Sequence, residues 1–402
     1  MDRKTRAFAL APRRVSVGTF SVTPRIRQLI EQVLESGQIS YGPMSQEFEQ
    51  RFAELHEGRY AILSNSGTSA LQVALQAMKE LHGWKDGDQV IIPATTFIAT
   101  ANIVLHNGMV PVVVDVLPDT FNIAPRQVAD AVTPDTCCVI PVHLLGLPAD
   151  TPAIRATIPN RVRMITDSCE CMFVARGTMG LGDIGCFSTY VAHLIVTGVG
   201  GLCVTDSPEY AARIRSLVNH GLNLAQLDPD DNFAPRPVPG RRFKFASYGH
   251  SYRITEMEAA LGLAQLDTRN TMLHTRRRNA KHLTAGLRNI NNYYGNPFYL
   301  QPEPKSHAHM MYPIVLNKDG DGNCVSKEPL MQYLLDNQIE VRDIPSILGH
   351  QVYSWLHPAE FPVSNWLLHS GFYVGCHQDM TPEDCQYVLY HIERFCDRKG
   401  SY

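Results

Sequence analysis

Apolar residues recur at helical spacing in the first fifty-odd positions and then give way to short, nearly unbroken apolar runs. After Thr23-Pro24, an N-cap with proline at the first helical position, Ile26, Leu29, Ile30, Val33 and Leu34 fall on one face of a helix that stops at Gly37. Phe48, Phe52 and Leu55 repeat the spacing in a second helix. Residues 60–63 read as a strand, Ser64-Asn65-Ser66-Gly67-Thr68 as a polar turn, and the Ala/Leu-rich stretch beyond as a helix. The same alternation continues with strands at 89–93, 110–116, 138–142, 162–166 and 202–204 and helical stretches such as 96–106 between them. An α/β fold follows, with a mostly parallel sheet sandwiched by helices, in which ligands sit at the carboxyl ends of the strands. Beyond Thr255, Met257, Leu261, Leu263 and Leu266 mark a helix leading out of this region.

Length and composition set the frame for that pattern. With 402 residues, 44% hydrophobic and 19% charged, the chain buries a sizeable core and fits two compact units. The expected division is a flexible arm over residues 1–15, a large ligand-binding domain over 16–270 and a smaller C-terminal α/β lobe over 271–402. A net charge of -3 gives no electrostatic footprint for nucleic acid or an anionic membrane. The N-terminus lacks a signal-peptide h-region, and no run of eighteen apolar residues follows. Ten cysteines without regular pairing, Cys137 and Cys138 adjacent, point to a reducing cytoplasm rather than a disulfide framework. The Arg276-Arg277-Arg278 triplet reads as a solvated helix face. Only nine residues are lysine, and none lies between Lys85 and Lys244.

Three segments carry candidate chemistry. Ser66-Gly67-Thr68, between a strand and a helix, offers free backbone N–H groups and a helix dipole to a phosphate, although on that turn alone an N-capped helix after a tight turn is the favoured reading. Asp167 ends an apolar strand and puts a carboxylate where an α/β protein keeps its site. Ser188, His193 and the glycine-rich Thr197-Gly198-Val199-Gly200-Gly201 follow in one stretch, the glycines permitting close approach or positive φ.

In order and spacing these segments resemble the DegT/DnrJ/EryC1/StrS family of sugar aminotransferases and related dehydratases. The resemblance covers roughly residues 20–400. It rests on Ser36-Gly37-Gln38-Ile39-Ser40-Tyr41-Gly42-Pro43, Asn65-Ser66-Gly67-Thr68-Ser69-Ala70-Leu71, Thr96-Phe97-Ile98-Ala99-Thr100, Val114-Asp115 and Pro141-Val142-His143. Gly182-Asp183-Ile184-Gly185-Cys186-Phe187-Ser188, Asn219-His220-Gly221 and Tyr252-Arg253-Ile254-Thr255-Glu256 complete it. It implies the type I fold of pyridoxal 5′-phosphate enzymes and a pyridoxal or pyridoxamine phosphate cofactor. By that resemblance Gly67, Thr68 and Ser188 hold the cofactor phosphate, Phe97 stacks on the pyridine ring, and Asp167 pairs with the ring nitrogen. An ionised carboxylate there keeps the ring cationic and so a better electron sink.

The departures from the family pattern narrow the function. Five residues after Ser188, where the aminotransferases carry the lysine that binds the cofactor covalently, stands His193. Tyr190-Val191-Ala192-His193 resembles the 3-dehydratases of nucleotide-linked 4-keto-6-deoxyhexoses, in which histidine replaces lysine. A neutral imidazole suits proton abstraction near pH 7. Glu170 stands where the family usually has Gln near the ring hydroxyl, and a carboxylate there needs protonation or a donor. Ser251 replaces an Asn that reaches the neighbouring subunit's cofactor phosphate, and Val199 a frequent Glu. Cys324, Cys376, Cys385 and Cys396 lack the close pair of the iron–sulfur branch, and no metal site is expected. The expected protein is a homodimeric, cofactor-dependent 3-dehydratase of a keto sugar, using glutamate as amino donor, with its site at the subunit interface. Transamination through a relocated Lys244, dehydration of a nucleoside-derived keto sugar and a catalytically silent regulatory subunit are the alternatives.

Overall fold

A computed structural model describes residues 13–174, 182–228, 234–235, 243–302 and 306–399. The first helix, α1 (Pro24–Ser36), is capped as its sequence dictates: the Thr23 hydroxyl oxygen accepts from the Ile26 N–H, and Gly37 closes it at φ 66°. In α2 (Pro43–Leu55) the N-terminal amides are held from far away. The buried Glu256 carboxylate accepts from the N–H groups of Gly42, Met44 and Ser45 at 2.8–2.9 Å and from the Ser45 hydroxyl at 2.5 Å. Two of the quoted motifs, around Gly42 and Glu256, are thus one structural clamp.

From there strands and helices alternate: β1 (Tyr60–Ser64), α3 (Gly67–His82), β2 (Gln89–Pro93), α4 (Ile98–His106), β3 (Val110–Val114), α5 (Pro125–Ala131), β4 (Thr136–Val139), α6 (Thr151–Thr157), β5 (Arg163–Asp167), β6 (Ile184–Ser188) and β7 (Gly201–Thr205). They form a seven-stranded sheet in the order β1-β7-β6-β5-β4-β2-β3. The β2, β3, β4, β5 and β6 neighbours pair in parallel, whereas β7 runs antiparallel to both β1 and β6. β6 escapes sequence patterning because Ile184-Gly185-Cys186-Phe187-Ser188 is neither alternating nor rich in β-branched residues. Nothing local records the reversed direction of β7.

A two-residue pair, β8 (Leu227–Asp228) and β9 (Ala234–Pro235), precedes the second lobe. That lobe is an antiparallel sheet, order β10-β11-β13-β12, of β10 (Phe298–Tyr299), β11 (Met311–Leu316), β12 (Val341–Asp343) and β13 (Gly371–Gly375). The helices Arg269–Tyr294 and Pro382–Lys399 cover it. Residues 344–364 return to the large lobe. The Ile347 N–H donates to Ala94 O, the Tyr353 hydroxyl to Asn102, and Asp115 accepts from the N–H groups of Val363 and Ser364.

Two expectations need revision. The arm drawn over residues 1–15 is anchored at its end: Arg13 pairs with Asp384 at 2.7 Å, and Val15 is buried and exchanges backbone hydrogen bonds with Gln338 and Glu340. Residues 1–12 lie outside the described residues. The arginine triplet is not a uniformly solvated face either. Arg276 is 2% exposed, its Nη1 donating to the carbonyls of His309 (3.2 Å) and Met310 (2.8 Å), and only Arg277 and Arg278 face outward. Helical periodicity could not separate them, because the small lobe packs over one turn of that helix.

Candidate active site

The phosphate turn is built by close approach. Ser66 caps α3, its hydroxyl oxygen accepting from the Ser69 N–H at 3.0 Å, while among the described residues nothing engages the Gly67 and Thr68 amides. A Cβ on Gly67 would lie 2.7 Å from both Ser188 Cβ and Cys169 Sγ, so only glycine lets the turn sit against β6. Gly201 serves the other side: a Cβ there would come within 2.3 Å of Ser66 O and 2.7 Å of Gly67 N. Gly201 is therefore a site of close approach, whereas a Cβ on Gly198, at φ 91°, would meet nothing within 4 Å. Together the two free amides, the exposed Thr68 and the Ser188 hydroxyl make an anion cradle at a helix N-terminus.

Asp167 stands at the carboxyl end of β5 and is 4% exposed. One oxygen accepts from the Thr100 hydroxyl at 2.8 Å and the other from the Cys169 N–H at 3.2 Å. Burial raises its carboxyl above the usual range, against the pull of those hydrogen bonds, and among the described residues no cation pairs with it. Thr100, one turn into α4, also meets Thr96, and its N–H donates to the carbonyl of Phe97, the helix N-cap, which is 61% exposed. Thr100 lay within a quoted motif without a role, and its contact with Asp167 supplies one.

His193 follows Ser188 through two local bonds. The Tyr190 N–H donates to Ser188 Oγ at 3.3 Å and the His193 N–H to the Tyr190 carbonyl at 2.9 Å. The imidazole Nδ1 is buried without a partner among the described residues. Burial, aided by the positive charge of Arg276, lowers its pKa to about 4, so the ring is neutral at pH 7. Arg276 was the residue patterning missed.

Glu170 meets both conditions its position demands. The Leu145 N–H donates to it at 2.5 Å, and burial, reinforced by Asp167, raises its carboxyl to about 7. Ser251 is exposed at an isolated bridge with Asn219 and accepts from Arg253 at 3.0 Å, next to Tyr252, whose carbonyl binds the Asn65 N–H. Lys244 is exposed on a different segment, its carbonyl held by Asn223 and Gln226. Gly67 thus sits against Ser188 and Cys169, Cys169 binds Asp167, and Glu170 is near enough to Asp167 for their charges to act on each other, while Phe97 is linked through Thr100, His193 through Tyr190, and Ser251 is exposed. The quoted His143 is wholly buried beside Asp167, its Nδ1 accepting from the Ala149 N–H at 3.0 Å.

The signature of the DegT/DnrJ/EryC1/StrS aminotransferase family matches residues 21–393. The chain belongs to this family. A GDP-perosamine synthase of Caulobacter vibrioides is 31% identical over 336 residues, which are 82% of this chain and 84% of that relative. The GDP-4-keto-6-deoxy-D-mannose-3-dehydratase of E. coli, solved with bound hydrated pyridoxal phosphate, superposes at a TM-score of 0.82, covering 94% of this chain and 98% of its own, at 24% identity. An aminotransferase from Psychrobacter cryohalolentis superposes at 0.83, covering 96% and 99%, at 25% identity. The fold is therefore fold type I, and family membership makes this a pyridoxal-phosphate-dependent, sugar-modifying enzyme.

The residues present fit that cofactor: an anion cradle, a buried carboxylate paired with no cation among the described residues, and an exposed aromatic side chain. Glu170, which the resemblance places by the ring hydroxyl, is expected to make binding pH-dependent. As pH rises through about 7 Glu170 ionises, and affinity for pyridoxal phosphate is expected to fall roughly tenfold between pH 6 and 8. Glu170→Gln should flatten that dependence in fluorescence titrations. An equal pH response in both proteins would refute the assignment. Among the described residues no helix is long and apolar enough to cross a membrane.

Proposed function

We propose that this enzyme is a 3-dehydratase acting on a nucleotide-linked 4-keto-6-deoxyhexose, using pyridoxamine phosphate held without a covalent bond and His193 as base. The observation that carries this reading is the neutral imidazole of His193, its Nδ1 buried without a partner among the described residues, five residues from Ser188 in a region of chain without lysine. When bound, the cofactor supplies an amine to condense with the C4 ketone and a conjugated ring that takes up electrons as the C3 hydroxyl leaves.

The amides of Gly67 and Thr68 and the Ser188 hydroxyl would hold the phosphate. Asp167 would keep a proton on the ring nitrogen, and that pairing would relieve the cost of its buried charge. Phe97 would stack on the ring and keep water from it. His193 would serve as the base that accepts the proton, a task for which its neutral form is required. A lysine at 193 would instead capture the cofactor and return the proton to the sugar carbon. Glutamate would regenerate the amine. A second copy would complete the site, since Phe97, Tyr190 and Val199 leave large apolar groups exposed around it, and Ser251 would face that copy's phosphate.

The likeness to a GDP-perosamine synthase favours a second reading, transamination, for which Lys244 is the candidate amine. One pair of experiments decides between them. Protein mixed with pyridoxal phosphate and reduced with borohydride should carry no lysine adduct. With pyridoxamine phosphate and GDP-4-keto-6-deoxymannose it should release a 3-deoxy sugar. An adduct at Lys244 together with an amino-sugar product would establish transamination, and a protein that binds no cofactor would be a silent subunit.

A further inference from the structure

Asp167 stands at the end of a chain of buried hydroxyls. Thr96 and Thr100 are wholly buried, one on each side of the helix N-cap at Phe97. The Thr100 hydroxyl lies 2.8 Å from an Asp167 oxygen and 2.7 Å from the Thr96 hydroxyl. Each hydroxyl has one proton to give. An ionised carboxyl only accepts, so Thr100 then donates to Asp167 and Thr96 to Thr100. A protonated Asp167 that donated to Thr100 would reverse both bonds and leave Thr96 to donate to the Phe97 carbonyl. That contact measures 3.4 Å, against roughly 2.7–2.8 Å for a good O–H···O bond, and the same carbonyl already accepts from the Thr100 N–H at 3.1 Å. The chain is therefore built for the direction that ends on a carboxylate.

The groups around Asp167 supply no positive charge in its place. The Cys169 N–H donates to the other carboxylate oxygen at 3.2 Å, and the Cys169 thiol bonds to the carboxylate as well. Burial keeps the thiols of Cys169 and Cys186 protonated. His143, whose N–H donates to the Asp167 carbonyl, is neutral, and Glu170 is a second carboxyl. Burial pushes the Asp167 carboxyl up, and among the described residues Thr100 and Cys169 pull it back.

A proton shared between a pyridine nitrogen and a carboxylate rests on the stronger base, and every donor bonded to the carboxylate makes it the weaker one. We infer that Thr96 and Thr100 are positioning residues for the cofactor ring: acting through Asp167, their hydroxyl chain keeps the shared proton on the ring nitrogen. This role rests on the pairing of Asp167 with that nitrogen proposed above, and makes the pairing effective. The Thr100 N–H holds the Phe97 carbonyl while its hydroxyl holds Asp167. Thr100 thereby joins the side chain proposed to stack on the ring to the carboxylate proposed to meet its nitrogen.

Pyridoxamine phosphate carrying nitrogen-15 in its ring tests this in the holoenzyme, because the nitrogen shift reports whether the ring is protonated. At pH 7.5 the wild-type complex should give the protonated signal. Thr100→Val should move it most of the way to the unprotonated position and lower kcat roughly tenfold, the loss of one hydrogen bond to a charged group, with KM little changed. Thr96→Val should move the signal the same way by less, and Thr100→Ser, which restores a hydroxyl, should return both signal and rate. The empty protein supplies a readout independent of the reaction. Removing a donor raises the Asp167 carboxyl further above its unfolded value, and such a group loses stability as pH climbs through the folded value. Thr100→Val should therefore melt further below wild type at pH 7.5 than at pH 4.5, whereas a side chain that only packs would cost the same at both. If Asp167→Asn moves the nitrogen signal and Thr100→Val does not, or if the melting gap ignores pH, the role of the threonines is overturned and the pairing of Asp167 with the ring stands. A signal that Asp167→Asn leaves in place would overturn both.

Discussion

Replacing His193 by asparagine is expected to lower the dehydration rate roughly 10²–10⁴-fold, the usual contribution of a positioned general base, while cofactor affinity changes little. The reason lies in how the site divides its work. In the proposed function, phosphate, ring nitrogen and ring face would be met by Gly67, Thr68, Ser188, Asp167 and Phe97, none of them covalently. His193 would add proton transfer alone. Its pKa of about 4 gives the prediction a second edge. An ordinary histidine near 6.5 would impose an acid limb on the rate at that pH. Here a lowered pKa means the ring gains a proton only as pH falls toward 4, so kcat/KM should show no histidine limb between pH 5 and 7. His193→Lys should have the opposite phenotype: a borohydride-reducible attachment at position 193 and loss of 3-deoxy product. A limb near 6.5, or an asparagine variant with undiminished rate, would remove His193 from the mechanism.

Asp167→Asn should cost roughly 10²–10³-fold in kcat, typical for deleting one preorganised electrostatic contact, and should stabilise the cofactor-free protein. Burial raises the Asp167 carboxyl above its unfolded value. A raised carboxyl contributes stability below the unfolded pKa of about 3.8 and loses it as pH climbs through the folded one. At pH 7 the empty site therefore carries the cost of a buried charge without a cation, and asparagine removes it while still accepting from Thr100 or Cys169. Scanning calorimetry at pH 7.5 should show the empty variant melting above the empty wild type, and the order reversing when pyridoxal phosphate is added. A variant less stable than wild type in both states would mean that Asp167 serves packing rather than the pyridine nitrogen. Keeping a destabilised group for the sake of function is a familiar trade.

Much of this arrangement was legible before any coordinates. The strands β1 to β5 and β7 were marked by unbroken apolar runs, because a strand buried on both faces has no solvent side to alternate with. The cap at Thr23, the phosphate turn at Ser66-Gly67-Thr68 and the carboxylate at the end of β5 are local signals with local causes. The missing lysine was a matter of reading one letter at position 193. β6 was not legible, because its glycine and cysteine carry no strand preference. Nor was the role of Thr100, whose hydroxyl meets Asp167 from 67 positions away.

Sequence was enough to establish the fold class, the family resemblance and the histidine at position 193, and to name the residues proposed for both ends of the cofactor site. Each of these is a property of residue identity and short-range spacing. Folding added the facts that depend on what comes near what. It made glycine obligatory at 67 and 201, where two backbones press together, and raised Glu170 toward neutrality by burial while giving it the Leu145 N–H. It also drew Arg276 out of a run of three arginines into a buried position where its charge bears on His193. Charge energies depend on solvent exclusion and distance through space, and neither is written in the order of residues along a chain.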